Sequence, residues 1–427
     1  MKQAAPDTVA VTIDGIGSGG AGVGRLPDGR AVFVQRTAAG DEAEVSVEVE
    51  HKRWARARLV EVTHEGLHRR TPPCPLYVRC GGCTLQHLDY AAQLSAKAQM
   101  VAETLRRIGA LDIEVPSIER SPHEFHYRNR ASFTLLRAGG RVIAGYHVLD
   151  NPGRILDVDE RCLLLEPSLA AAWRALRASW GPQAALLPAG ARLRLTLRAA
   201  AGGCSLLIEG GQGRGQPEAL LAAVPALRSI WSRRDPADRS RRIAGDAALE
   251  EQWGAESITM RGGVFVQVNR AMAASLEAYV LERAGAVHGR RVVDAYCGIG
   301  AYTSRLMHAG AIVTGIEIDA DATAEAAARL PDARFMVGPV EKLLPHVLPA
   351  DLVIANPPRA GMHHDACNAL RAAPPGRLLY VSCDPATLAR DVARLGPAFT
   401  IASTRCFDMF PQTAHVETVL ELTCATS

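Results

Sequence analysis

Cys383 stands in VSCDPATLARD, between the apolar run Arg377–Ser382 and what reads as the first turn of a helix. A cysteine at the carboxyl end of a strand can serve packing, metal ligation or nucleophilic attack. A free thiol of pKa about 8.5 is only a few per cent ionised near neutrality, and a helix N-terminus or a nearby cation lowers that value. The position favours attack over packing, so Cys383 is expected to be a nucleophile. In FPQTAHVETVLEL, Glu417 interrupts an apolar strand. A carboxylate among Val416, Val419 and Leu420 either faces water from an edge strand or acts as a general base.

A second constellation is Cys74, Cys80 and Cys83, spaced C-x5-C-x2-C, with Cys162 a further 79 residues along. Four thiolates suit either a zinc ion or a [4Fe–4S] cluster, and spacing alone does not choose. The C-x3-C-x2-C triplet of radical enzymes is absent, which points away from radical generation.

The run VVDAYCGIGAYT reads as a strand, a tight turn at Gly298 and Gly300, and a helix start that lets backbone N–H groups approach a ligand. About 20 residues on, Glu317 ends the next strand, where it can accept hydrogen bonds from both hydroxyls of a ribose. A dinucleotide is the competing ligand. Two glycines with Asp294 at the strand end, in place of a three-glycine pyrophosphate fingerprint, favour S-adenosylmethionine. The prolines of NPPRAG, Asn356 to Gly361, stiffen a loop that can present a planar group to the donor cavity. Enzymes that methylate exocyclic nitrogens usually end this loop in an aromatic residue; here Arg359 takes that place.

These residues need elements to hold them. From Val9 to Val62, short alternating runs separated by Gly and Pro turns read as a small all-β barrel. Its GIGSGGAGVG contains a formal G-x-G-x-x-G at Gly17, Gly19 and Gly22, but Pro27 and Gly29 arrive before any helix can form. A helix is expected from Ala91 to Ala110, ending at Gly109. Residues 120 to 260 mix strands and helices. After Gly262, strands alternate regularly with helices, which implies an α/β fold with a parallel, doubly wound sheet and a ligand site at its carboxyl ends.

The 427 residues imply two to four domains. No apolar run is long enough for a membrane span, and MKQAAPDTVAVTIDG lacks the blocks of a signal peptide. The ten cysteines are read as reduced thiols of a cytoplasmic protein with no membrane partner. Net charge is only +3, so affinity for nucleic acid must come from local clusters. Two arginine-rich runs, 126–141 and 228–242, are either such clusters or ordinary solvated surface.

Taken together and in order, FVQVNRAM, DAYCGIGAYT, NPPRAG, VSCDPATLARD and DMFPQTAHVET resemble the RNA uracil-5-methyltransferase family over essentially the whole chain. The N-terminal barrel is similar to the TRAM domain of that family's ribosomal-RNA branch. The resemblance implies a class I methyltransferase sheet, an N-terminal OB-like barrel at residues 6–65, a central domain at 66–92 and 122–260, and a methyltransferase domain at 93–121 and 261–427. It also implies that CPLYVRCGGC and DERCLLLEP hold a [4Fe–4S] cluster on Cys74, Cys80, Cys83 and Cys162.

By the same resemblance, Cys383 adds to carbon 6 of uracil, carbon 5 takes a methyl group from S-adenosylmethionine, and Glu417 removes the carbon 5 proton. Gln267 is implied to contact base and donor, Tyr296, Gly298 and Glu317 to hold the adenosyl group, and Arg359 and Arg390 to support the pocket or RNA. Asn356 replaces the family's usual aspartate at a donor-side position, and Ala301 replaces an asparagine. The substrate is expected to be an extruded loop uridine of structured RNA, ribosomal in preference to transfer RNA, and the protein a monomer. Cytosine-5 methylation would call for a second cysteine in the proline loop, which NPPRAG lacks. A non-catalytic iron–sulfur RNA-binding factor is the rival of another class.

Overall fold

The computed structural model describes residues 8–235, 238–253, 256–262 and 267–424. Pro236 and Ala237 of the second arginine-rich run, Phe265 and Val266 of FVQVNRAM, and the outermost positions of the first and last expected domains lie outside the described residues. Two compact units emerge, one of residues 1–15, 19–90 and 123–270, the other of 16–18, 91–122 and 271–427.

In the first unit, strands Val9–Ile16, Gly22–Arg25, Ala31–Val34, Glu42–Glu50 and Trp54–His64 close into a barrel. Alternate residues, among them Val11, Ile13, Val32, Val34 and Val45, fill its interior, and closure leaves no open strand edge. Gly22 and Gly24 of GIGSGGAGVG serve this packing. A side chain at Gly22 would come within 2.0 Å of Thr37 Oγ1, and no helix follows. The same unit carries a seven-stranded sheet against which helix Pro167–Ser179 packs, Trp173 stacking on Phe133 at 4.0 Å.

The second unit contains α1 (Tyr90–Gly109), β1 (Ser117–Glu119), α2 (Arg270–Ala284), β2 (Arg291–Ala295), α3 (Ala301–His308), β3 (Ile312–Glu317), α4 (Ala320–Arg329), β4 (Arg334–Val337), α5 (Val340–Leu343), β5 (Leu352–Ala355), α6 (His364–Ala372), β6 (Arg377–Ser382), α7 (Pro385–Leu395), β7 (Phe399–Phe407) and β8 (Glu417–Cys424). Its sheet runs β4-β3-β2-β5-β6-β8-β7-β1. The central strands are apolar on both faces, as LVIA in β5 shows, because helices cover both.

Two features correct the expectation of a uniformly parallel sheet. β8 is antiparallel to both β6 and β7, because residues 408–416 turn the chain straight back as a long hairpin connection. β1, too short to stand out in the sequence, adds a parallel edge beside β7.

Candidate active site

Glu317 ends β3, and Tyr296, Asn356 and Cys383 directly follow β2, β5 and β6. Because β8 runs backwards, its first residue, Glu417, lies at this same carboxyl rim. The sheet order therefore sets Glu317, Tyr296, Asn356, Cys383 and Glu417 on five adjacent strands in a row. A groove at the sheet edge, lined by Gly109–Ser117 and parts of α7 and β7, opens at the opposite end of the strands and takes no part in this row.

Ser382 pairs with Thr418, so Cys383 and Glu417 occupy neighbouring positions one step beyond that pair. Glu417 is 2% exposed, in the middle of the sheet, which excludes the edge-strand reading. Burial pushes its carboxyl up to about 8, with the positive charge of Arg359 opposing. The Cys383 thiol is also raised, first by burial and then by Glu417, and again Arg359 opposes. This corrects the expectation that α7 acidifies the thiol. The N–H groups of Ala386 and Thr387 at the head of α7 are taken by the Asp384 side chain, at 2.9 and 3.0 Å. Arg359, from the proline loop, is the cation acting on both groups.

The proline loop is fastened from behind. Buried Asp391 on α7 accepts hydrogen bonds from the Met362 N–H at 2.7 Å, the Tyr380 hydroxyl at 2.8 Å and Arg390 Nε at 2.9 Å. Arg390 also donates to the Ala360 carbonyl at 2.7 Å. Arg390 thus acts within the protein, holding the loop that carries Arg359. Gly361 has φ 76°, and a side chain there would lie 2.3 Å from Asp391 Oδ2. Asp391 carries no signal in the sequence; only its position behind the loop marks it.

At the donor end, Glu317 accepts from the Gly298 N–H at 2.9 Å and the Asp319 N–H at 2.8 Å, tying the glycine turn to β3. Each carboxylate oxygen retains acceptor capacity for a hydroxyl. Tyr296 adopts φ 65° at the turn, and the space a side chain at Gly298 would enter is open. Asp294 is buried, its Oδ2 held by the Thr303 N–H and hydroxyl while Oδ1 has no hydrogen-bond partner among the described residues. Burial raises its carboxyl to about 7. A buried polar atom left open beneath the turn fits a polar cationic donor bound there. Ala301 is the first residue of α3. Gln267 lies in the first unit, where its carbonyl accepts from Asn129 Nδ2 at 3.1 Å.

Cys74, Cys80, Cys83 and Cys162 line one pocket with Tyr77, Gln86 and Tyr146. Burial pushes the Cys83 thiol up to about 12 and Cys162 to about 11, while Arg128 opposes both shifts. Arg36 opposes the rise at Cys80 and donates to the carbonyls of Tyr77, Cys80 and Cys83 at 2.7 to 2.9 Å. Two guanidinium groups facing buried thiols suit a group that holds them as thiolates. Sulfurs around one zinc ion stand about 3.8 Å apart. Among the described residues no three of these four sulfurs fall within 4.8 Å of one another; the trio of metal-ligating types that does is the exposed His363, His364 and Asp365. Neither Arg36 nor Arg128 carried a sequence signal linking it to the cysteines.

The arginine-rich runs are less free than either reading supposed. Arg137 donates to the carbonyls of Gln183, Ala184, Pro188 and Gly190, Arg228 pairs with Asp246, and Arg233 with Glu209.

Comparison with known proteins agrees with this geometry. Residues 347–424, which include Cys383 and Glu417, match the tRNA (Uracil-5-)-methyltransferase family model, and residues 7–60 match the TRAM domain. An RNA methyltransferase of Gloeobacter violaceus is 33% identical, covering 97% of this chain and 96% of that protein. The 23S rRNA (uracil(1939)-C(5))-methyltransferase RlmD of Thiobacillus denitrificans is 30% identical over 94% of this chain and 96% of its own length.

The chain belongs to the RNA uracil-5-methyltransferase family.

The crystal structure of the tRNA (uracil-54, C5)-methyltransferase of Pyrococcus abyssi in complex with S-adenosyl-L-homocysteine is similar throughout, with TM-score 0.75 and 26% identity over 97% of this chain and 99% of that one. An RNA uracil-5-methyltransferase of this kind depends on S-adenosylmethionine, and the class I sheet with its barrel is the fold expected of it. Among the described residues, no helix of this methyltransferase is long and apolar enough to cross a membrane.

Proposed function

We propose that this methyltransferase modifies carbon 5 of an unpaired uridine in 23S ribosomal RNA through a covalent adduct at Cys383. The observation that carries the reading is the Ser382–Thr418 register, which sets a thiol and a buried carboxyl side by side at the rim of the donor-binding sheet. Carbon 5 of uracil is a weak nucleophile. Once its thiol proton has left to solvent, the Cys383 thiolate forms a bond from Sγ to carbon 6 and pushes the ring electrons into an enolate, making carbon 5 nucleophilic. S-adenosylmethionine supplies the methyl group that carbon 5 then takes, leaving S-adenosylhomocysteine. Glu417, as carboxylate, accepts the proton from carbon 5; the released electrons re-form the enolate and expel the Cys383 thiolate, restoring the 5,6 double bond.

Both groups are disposed toward their neutral forms in the free protein, and Arg359 is the resident charge drawing each toward ionisation. A cationic donor beside them acts in the same direction. Tyr296, Gly298, Glu317 and Asn356 are assigned to the donor and Gln267 to base and donor. An amide at Asn356 can orient a partner but cannot take its proton.

Cys74, Cys80, Cys83 and Cys162 are assigned to a [4Fe–4S] cluster, on the convergence of four thiols in one pocket and the guanidinium groups that act on them. That cluster would tie Cys162 to the cysteine loop and order this part of the first unit. The three proposed domains retain the boundaries 6–65, 66–92 with 122–260, and 93–121 with 261–427. Ribosomal RNA is favoured by the RlmD relative, and transfer RNA, the second reading, by the Pyrococcus structure.

Mapping 5-methyluridine in 23S rRNA and tRNA, from cells with and without the protein and with C383S, tests the target. Loss from tRNA alone transfers the assignment to tRNA; loss from neither removes the reading.

A further inference from the structure

α1 precedes the methyltransferase fold in sequence, yet it carries one of the most deeply buried charges in the second unit. Lys97 is 1% exposed; its Nζ donates to Asp408 Oδ1 at 2.5 Å and to the Phe410 carbonyl at 3.1 Å. One turn earlier, Gln93 is fully buried. Its Nε2 donates to Gln412 Oε1 at 3.0 Å, and its Oε1 accepts from the Gln412 N–H at 3.1 Å. At i and i+4 these side chains share a face of α1. These hydrogen bonds fall on residues 408–412, inside the β7–β8 connection whose next strand begins with Glu417.

That connection is under conformational load. Gln412 is fully buried at φ 69°, a left-handed conformation costly for a side chain bearing a Cβ. The two-point grip of Gln93 on Gln412 holds it there. Asp408 lies next to Phe407, the residue paired with Glu417, so Lys97 fixes the loop at the rung where it leaves the ladder. Thr413 closes the turn, its hydroxyl donating to the Phe410 carbonyl at 2.8 Å and accepting from the His415 N–H at 3.3 Å. A helix with no strand-end position of its own thereby determines the path into β8.

We infer that Gln93 and Lys97 are positioning residues that hold the 408–413 loop so that Glu417 is aimed at the proton on carbon 5. This rests on Glu417 being the base. Loosening the grip leaves Cys383, on β6, free to form its adduct while proton removal slows. A displacement of about 1 Å in a reacting group can cost roughly a hundredfold in rate.

The test uses the full chain, S-adenosylmethionine and unmodified 23S rRNA and tRNA transcripts labelled with tritium at uridine carbon 5, following whichever transcript the wild type modifies. Tritium release reports proton removal, and a denaturing gel reports the RNA–protein adduct. Q93A is compared with wild type and E417Q, with thermal melting as a check on folding. K97M leaves the buried Asp408 charge without its cation, so K97M/D408N accompanies it. The expected result is tritium release slowed about tenfold to a hundredfold in Q93A and in the double variant, accumulation of methylated adduct, and unchanged RNA affinity. A folded Q93A that releases tritium at the wild-type rate overturns the inference, as does one in which adduct formation and release fall together. If E417Q itself releases tritium at the wild-type rate, the assignment of Glu417 falls, and the role of the loop with it.

Discussion

Cys383 and Glu417 sit side by side because Ser382 pairs with Thr418 in an antiparallel ladder, and each is the next residue outward on its strand. Their proximity raises the Cys383 thiol further, because a negative charge on Glu417 disfavours the thiolate. On the proposed mechanism, a partly buried thiol beside a buried carboxyl divides the labour: the sulfur is to be reached by the ring, and the base kept from water.

On the proposed mechanism, removing the sulfur stops the reaction at its first bond. C383S and C383A are expected to lower uridine methylation by roughly three orders of magnitude or more, with melting temperature little changed. Transcripts containing 5-fluorouridine, which offer no proton for Glu417 to remove, should crosslink to the wild type and not to these variants on a denaturing gel.

Glu417 links activity and stability to pH in opposite senses. Its folded-state pKa of about 8 lies above the usual carboxyl value near 4.5, so between these values the native state keeps a proton that the unfolded chain has released. Stability contributed by this group is full below pH 4.5 and declines as pH rises toward 8. E417Q should therefore melt above the wild type by a margin that grows from pH 5 to pH 8, measured by differential scanning calorimetry. Turnover, which needs the carboxylate, should rise over the same range in the wild type.

Arg359 opposes the upward shift of both groups. R359Q should move the pH–rate profile toward alkaline pH and R359K should restore part of that displacement, because lysine keeps the charge but not the guanidinium geometry. A profile that keeps its position while the rate falls would assign Arg359 to RNA contact alone.

The cysteine pocket gives a metal-analysis prediction. Protein purified without oxygen should contain about four irons per chain with little zinc, and C80S or C162S should lose the iron. R36M should lower iron retention and speed bleaching in air, since Arg36 holds three carbonyls of the cysteine loop. Zinc at one equivalent would overturn the cluster assignment.

The sequence alone determined the chemistry at the strand ends. Glycines after VVDAY, a carboxylate closing VTGIEID, prolines after DLVIA and a cysteine after RLLYVS are legible because strand period and turn residues are local properties. Tertiary structure decided what depends on neighbours distant along the chain. Glu417 became a central residue only through the reversal of β8, and the Cys383 thiol rose because burial and Glu417 outweigh a helix terminus already capped by Asp384. Lys97 reads as one more polar residue of an amphipathic helix until Asp408, more than three hundred residues away, receives it. Arg137 and Arg233, which read as a basic surface, were claimed by carbonyls and by a buried glutamate. A residue's type and local spacing state which bonds it can make; register and burial choose which of them it does make, because a charge removed from water must take the partner that the packed chain brings to it.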